Sequence, residues 1–212
     1  TLVFDDGIKR LARVVNVEAC QLELIEELAD NVELPVQVTI ASGFPKGDKL
    51  EFITQKVTEL GASQIWAFPA HWSVSKWDGK KLGKKVEKLE KIALGAAEQS
   101  KRNFVPSITL FEKKADLLAQ LDQFDRIVVA YEESAKEGES AALIQAVSGL
   151  EKGAKLLFIF GPEGGLSPAE IESFESKGAV LAGLGPRILR AETAPLYALS
   201  AVSVVTELMK NA

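Results

Sequence analysis

The sequence predicts an α/β protein with a mostly parallel sheet flanked by helices. Three observations predict it. From Val36 onward, short apolar runs alternate with segments of helical periodicity, the grammar of successive strand–helix units. The run "KLLFIF", 155–160, is almost continuously apolar, as a strand covered on both faces requires. Glycine and proline crowd the points where such runs stop, and open parallel sheets bind their ligands at those ends.

The elements follow in order. Residues 9–27, "KRLARVVNVEACQLELIEE", alternate with period two, and "VNVEA" is placed to turn between two strands. Cys20 lies in this stretch and is expected to be a core or half-buried filler. "ADNVELP" supplies breakers, so a domain boundary is set there. Residues 1–32 are expected to be the C-terminal part of a small β-domain whose beginning lies upstream; residues 33–212 form the main domain. There, "VQVTIAS" reads as a strand. "GDKLEFITQKVTELG" reads as a helix with Leu50, Ile53, Val57 and Leu60 on one face and Gly61 as its stop. "SQIWAFPA" is a strand, "LGKKVEKLEKIALGAAEQS" a helix, "PSITLF" a strand and "ADLLAQL" a short helix. "DRIVVAYE" is a strand, "ESAALIQAVSG" a helix and "KLLFIF" a strand. "SPAEIESFESKG" is a helix with a capping box at Ser167 and Glu170 and proline at its first position. "AVLAGLG" is a strand and "TAPLYALSAVSVVTELMKN" the last helix. That helix is apolar nearly all round, so it is either core alone or core plus a subunit interface.

Composition narrows the function classes. The chain has 212 residues, 47% hydrophobic and 26% charged, ordinary values for a soluble domain. One cysteine excludes an internal disulfide framework and fits a reducing cytoplasm. The uncharged apolar stretch at 193–206 falls short of the ~20 residues that span a bilayer, so no membrane partner is expected. One histidine and one cysteine make no recognisable transition-metal site, so no metal is expected. Net charge is −5, yet nine basic residues against four acidic ones between Lys76 and Arg102 leave +5 there and −10 elsewhere. That segment is either a solvated helix face or a phosphate-binding patch.

Two loops concentrate the chemistry. "GPEGGLSPAE" begins at Gly161 after Phe160, at a strand end; it is either a tight turn or a backbone-lined cradle. "LAGLGPRILRAETAP" follows the last strand and brings Arg187, Arg190 and Glu192. Neither loop matches the phosphate-binding G-x-x-x-x-G-K-[ST], the dinucleotide-binding G-x-G-x-x-G or a nucleophile elbow.

Together, "FIFGPEGGLSPAEI" and "LGPRILRAETA" resemble the paired signature loops of the ribosomal RNA small-subunit methyltransferase E family. That family comprises S-adenosylmethionine-dependent uracil-N3 methyltransferases of the SPOUT superfamily. "KGDKLEFITQKVTELGASQIWAF", "WD" at Trp77–Asp78 and "KIALGAAEQSKRNFVPSI" resemble further family blocks in the same order, from about Val36 to the C-terminus. One stretch departs. Where the family has an acidic residue, Arg and Ser, this chain has His71, Trp72 and Ser73, so that arginine's contacts are not carried over.

The resemblance implies a deep C-terminal trefoil knot, a homodimer, and a PUA-like RNA-contacting β-barrel of which 1–32 would be the last strands. It implies methylation of a uridine in 16S ribosomal RNA of the small subunit. The donor pocket would comprise Tyr131, Glu132, Phe160, Gly161, Pro162, Glu163, Gly164 and Gly165 from two strand ends. Leu184, Gly185, Pro186, Ile188, Leu189 and Arg190 would complete it, with Ile188 and Leu189 packing the adenine. Arg190 would position uracil or stabilise its anion. Glu163 or Glu192 would act as base, or balance the sulfonium and Arg190. Lys76, Lys80, Lys84, Lys88, Gln99 and Arg102 are the RNA-contact candidates, with Trp72 and Trp77 either packing or stacking. Competing readings are a SPOUT enzyme acting on another RNA or on a ribose hydroxyl, a non-catalytic RNA-binding or assembly module, and a nucleotide-phosphate enzyme.

Overall fold

The computed structural model describes residues 1–131 and 142–209. At the N-terminus, β1 (Leu2–Val3), β2 (Lys9–Asn16) and β3 (Gln21–Leu28) pair antiparallel in that order. The period-two pattern forms these strands, but their apolar face is largely uncovered: Val14, Leu22, Leu24 and Ile25 are exposed. Cys20 corrects the sequence expectation. It is exposed in the β2–β3 turn, with φ 48°. The chain reverses at 17–20, where "VNVEA" is placed to turn, and Cys20 ends that turn instead of entering β3.

The main sheet has six parallel strands: β4 (Gln37–Gly43), β5 (Gln64–Phe68), β6 (Ser107–Leu110), β7 (Arg126–Ala130), β8 (Lys155–Phe160) and β9 (Val180–Ala182). Their spatial order is β6-β5-β4-β8-β7-β9. The helices are α1 (Lys49–Glu59), α2 (Gly79–Gln99), α3 (Lys114–Leu118), α4 (Ala142–Val147), α5 (Pro168–Glu175) and α6 (Ala194–Ser203).

Most boundaries fall close to the apolar periodicity, and the departures have local causes. Helix α2 begins three residues before the pattern because Asp78 caps it, Oδ1 accepting the Lys81 N–H at 3.0 Å. "ADLLAQL" divides into α3 and a 3₁₀ turn at Leu121–Gln123. The last helix widens into a π-helical turn at Val204–Leu208.

Strand β8 shows why the sheet is central. Leu156, Phe158 and Phe160 join the core beside α1, α4 and α6; Leu157 and Ile159 join the one beside α3 and α5. All five are at most 2% exposed, and burying each such side chain contributes about 1.5–3 kcal/mol. A third cluster, including Phe44, Leu50, Leu82 and Leu89, seats α2 against α1. Helix α6 is not buried all round. Ala198, Leu199 and Val202 are fully buried, whereas Tyr197, Val204, Leu208 and Met209 form an exposed apolar edge on α6 and the turn after it.

Candidate active site

Strands β8, β7 and β9 are neighbours that all run the same way, so their C-terminal ends lie side by side. The loops leaving them line one cleft of about 640 Å³. The Tyr131 N–H donates to the Ala182 carbonyl at 3.0 Å and ties the end of β7 to that of β9. Phe160 is buried at the end of β8, where the loop departs.

The first loop, 161–167, is held by its backbone and by one buried carboxylate. The Gly165 N–H closes a turn onto the Pro162 carbonyl at 2.8 Å, and Gly165 has φ 75°, a conformation that favours glycine. Gly164 lies against Trp72; a Cβ there would come within 2.8 Å of the Trp72 Cβ. Glu170, 1% exposed, caps the following helix: its Oε2 accepts the Ser167 N–H and hydroxyl, each at 2.9 Å. Its Oε1 accepts the His71 N–H at 2.8 Å. The His71–Trp72–Ser73 departure is thereby fastened beside the cleft, with half of Trp72 exposed.

The second loop contributes Leu184, Gly185, Arg187, Ile188, Leu189 and Arg190 to the opposite wall. Ile188 is 79% exposed, so it borders the mouth rather than an enclosed slot. Pro186 is exposed and is not part of the wall. Tyr131, Gly161, Pro162, Glu163, Gly164 and Gly165 all border the same space. Glu132 lies outside the described residues.

An ion cluster joins the two loops. Lys49, from the first turn of α1, places its Nζ 3.0 Å from Glu163 Oε1 and 2.9 Å from Glu192 Oε2. Glu163 Oε1 also accepts the Lys46 N–H at 3.1 Å. Burial pushes the Glu163 carboxyl up, but its own backbone, the Lys46 N–H and Lys49 together hold it below the ordinary glutamate value. Burial likewise raises Glu192; Lys49, its own backbone and the charge of Arg190 outweigh it. The Lys49 ammonium is raised by its bonds to Glu192 and Glu163. Arg190 reaches Glu192 only at 4.0 Å, and its side chain is 83% exposed.

Sequence reasoning did not single out Lys49. One signal existed: a cation in the first turn of a helix opposes the helix dipole, so a lysine there calls for a nearby anion. Which anion is a matter of topology, because Glu163 and Glu192 come from distant segments.

The RNA-contact candidates divide. Lys76, Lys80, Lys84 and Gln99 are exposed. Lys88 is exposed but pairs with Glu51 at 2.6 Å. Trp77 packs on Phe44 with ring centroids 4.2 Å apart, under the Lys85 ammonium. Arg102 corrects the expectation. It is buried, paired with Glu33, and donates from Nη1 to the carbonyls of Thr58 at 3.1 Å and Ala62 at 2.6 Å. A guanidinium saturated inside the protein cannot also grip a phosphate; its place in a basic run reflected sequence proximity only.

The cleft suits an adenosine-sized ligand. Its volume lies within the usual range for small-molecule sites. Its walls combine glycine peptides, the apolar side chains of Leu184 and Leu189, and the Glu163 carboxylate. A Cβ built on Gly165 meets nothing within 4 Å, so the backbone there faces open space. Among the described residues, no group of three His, Cys, Asp or Glu side chains is arranged to hold a metal, and no helix is long and apolar enough to cross a membrane.

Comparison with known proteins identifies the family. Residues 32–203 match a family model described as an RNA methyltransferase domain. A Bacillus subtilis protein named ribosomal RNA small subunit methyltransferase E is 56% identical over 188 residues, covering 89% of this chain and 73% of that protein. A Mycobacterium bovis protein of the same name is 31% identical over 212 residues, covering 97% and 78%. The crystal structure of such an enzyme from Neisseria gonorrhoeae, bound to S-adenosyl methionine, superposes with TM-score 0.75 at 27% identity, covering 93% of this chain and 79% of that one.

Proposed function

The chain belongs to the ribosomal RNA small subunit methyltransferase E family, and from that premise we propose that it methylates N3 of a uridine in 16S ribosomal RNA, with S-adenosylmethionine as donor. The observation that supports this best is the convergence of both glycine–proline loops on one cleft, with the Glu163 carboxylate at its edge joined through Lys49 to that of Glu192 behind it.

When bound, S-adenosylmethionine supplies an electrophilic methyl on a sulfonium, and its departure leaves a neutral thioether. Leu184 and Leu189 offer apolar surface to the adenine, and the peptides of 161–165 offer donors and acceptors. The exposed Arg190 guanidinium is free to turn toward the uracil carbonyls, where the charge of the N3 anion spreads. Glu163 and Glu192 had two roles open to them, base or counter-charge. Carboxyls held below their ordinary value are weak proton acceptors at neutral pH, which favours counter-charge. The imide proton then leaves to solvent at the open mouth.

The family resemblance extends the proposal to a deep trefoil knot in the C-terminal chain and to a PUA-like barrel that includes β1–β3. The exposed apolar faces of β2–β3 and of α6 are consistent with a barrel and a homodimer, respectively. With a ribosomal substrate, the proposal includes a cytoplasmic location. The test is incubation of the protein with methyl-labelled donor and unmodified small subunits or 16S RNA, followed by nucleoside mass spectrometry. The proposal expects N3-methyluridine; label in another nucleoside, or in ribose, would redirect it.

A further inference from the structure

The ion cluster at the cleft edge links three segments distant in sequence: the first turn of α1, the loop after β8 and the loop after β9. The Lys49 ammonium is the common member. Both loops are otherwise held at their outer ends, the first by Glu170 and the second by its entry into α6. We infer that Lys49 is a positioning residue for the methyl donor: it fastens the two loops together and aims the Glu163 and Glu192 carboxylates at the donor's cationic centre. This rests on the proposed use of S-adenosylmethionine.

Two carboxylates converging on one point repel each other unless a cation lies between them. Lys49 sits there at 3.0 and 2.9 Å, with its side chain 27% exposed, and it borders the cleft that Glu163 also borders. Two carboxylates and one ammonium leave one negative charge in excess. The neighbouring charged and titratable groups are Arg190, 4.0 Å from Glu192, and Arg187 and Tyr131 on the walls; Lys46 contributes its backbone N–H. With Arg190 turned toward the uracil, as proposed, and Arg187 out in solvent at the mouth, the cluster's own negative charge favours a sulfonium over the uncharged thioether left after transfer. Without Lys49 the carboxylates would turn apart or share a proton, and that preference would shrink.

The test is calorimetric titration with S-adenosylmethionine and S-adenosylhomocysteine, from neutral to mildly acidic pH. The proteins are wild type, Lys49→Gln, Lys49→Arg and Glu163→Gln/Glu192→Gln, the last with and without Lys49→Gln. Lys49→Gln is expected to weaken the sulfonium ligand about tenfold and the thioether less than about threefold. It also moves the acidic limb of donor binding to higher pH, since nothing then holds the carboxyls low. Lys49→Arg keeps the wild-type preference. With both glutamates neutralised, Lys49→Gln adds no further loss, the signature of action through them. Equal weakening of both ligands, with an unmoved acidic limb, would reduce Lys49 to a structural tie and overturn the inference. Should Lys49→Gln not fold, the glutamate pair decides: an unchanged preference between the two ligands overturns it. A wild type that binds neither ligand would instead refute the proposed function.

Discussion

Two charge clusters hold distant segments of this molecule together, and they differ in what they leave open. Just past the end of α2, Arg102 is buried and its donors are spent on Glu33 and on the carbonyls of Thr58, in the last turn of α1, and of Ala62 in the loop after it. Asn103 continues that junction, its Nδ2 donating to the Gly7 carbonyl at 2.8 Å, so the N-terminal sheet is docked through it. At the cleft, Lys49, Glu163 and Glu192 also pair, but each retains partial exposure and Arg190 stands almost free beside them. A closed cluster defines a shape. An open one retains charge that a ligand can still use.

The largest expected effect breaks the closed cluster. Arg102→Ala leaves the Glu33 carboxylate without its partner and should cost about 3–5 kcal/mol of stability, measured by denaturant unfolding. Donor binding by the fraction that remains folded should be unchanged. Loss of RNA binding with full stability would reverse the comparison.

Arg190→Ala addresses the open side. Turnover should fall about 10²–10³-fold, as removal of a donor to a developing anion does, while stability changes by less than about 0.5 kcal/mol. Unchanged turnover in single-turnover assays would remove Arg190 from the chemistry.

The pH dependence sharpens the account of the open cluster. Glu163 and Glu192 lie below their ordinary value of 4.5, so their contribution is complete above that value and is lost as pH falls through the lowered one. Lys49 lies above its ordinary 10.5, so its contribution is complete below that value and is lost as pH rises through the raised one. Donor affinity should therefore be flat across neutrality and down to mildly acidic pH. A decline that begins at about pH 6 would show that the carboxyls are not held low.

The smallest effect concerns the basic helix. Reversing Lys80 and Lys84, both exposed, should lower the salt slope of RNA binding by about 2, one per lysine. Reversing Lys88 should do less, because Glu51 already neutralises it. An unaltered slope would make α2 a solvated face.

Much of this was legible in the chain, and the exceptions have physical reasons. "KLLFIF" announced a strand buried on both faces, and the capping box at Ser167 and Glu170 announced the start of α5. The glycine–proline loops were legible as a pair because only a parallel sheet brings successive strand ends to one edge. Cys20 was misread because the turn read at "VNVEA" extends one residue further and takes the cysteine with it, out of the strand. Arg102 was misread because a basic run gives no hint of which member the fold turns inward. Lys49 was missed because its partners lie 114 and 143 residues further on, and only the strand order β4-β8-β7-β9 brings them near.

Titration calorimetry of the wild-type protein with S-adenosylmethionine, with ATP as comparison, decides whether the cleft is a methyl-donor site. One binding event per chain is expected for S-adenosylmethionine, with weaker binding when Glu163 and Glu192 are both made neutral. Heat from ATP but none from S-adenosylmethionine would contradict that assignment.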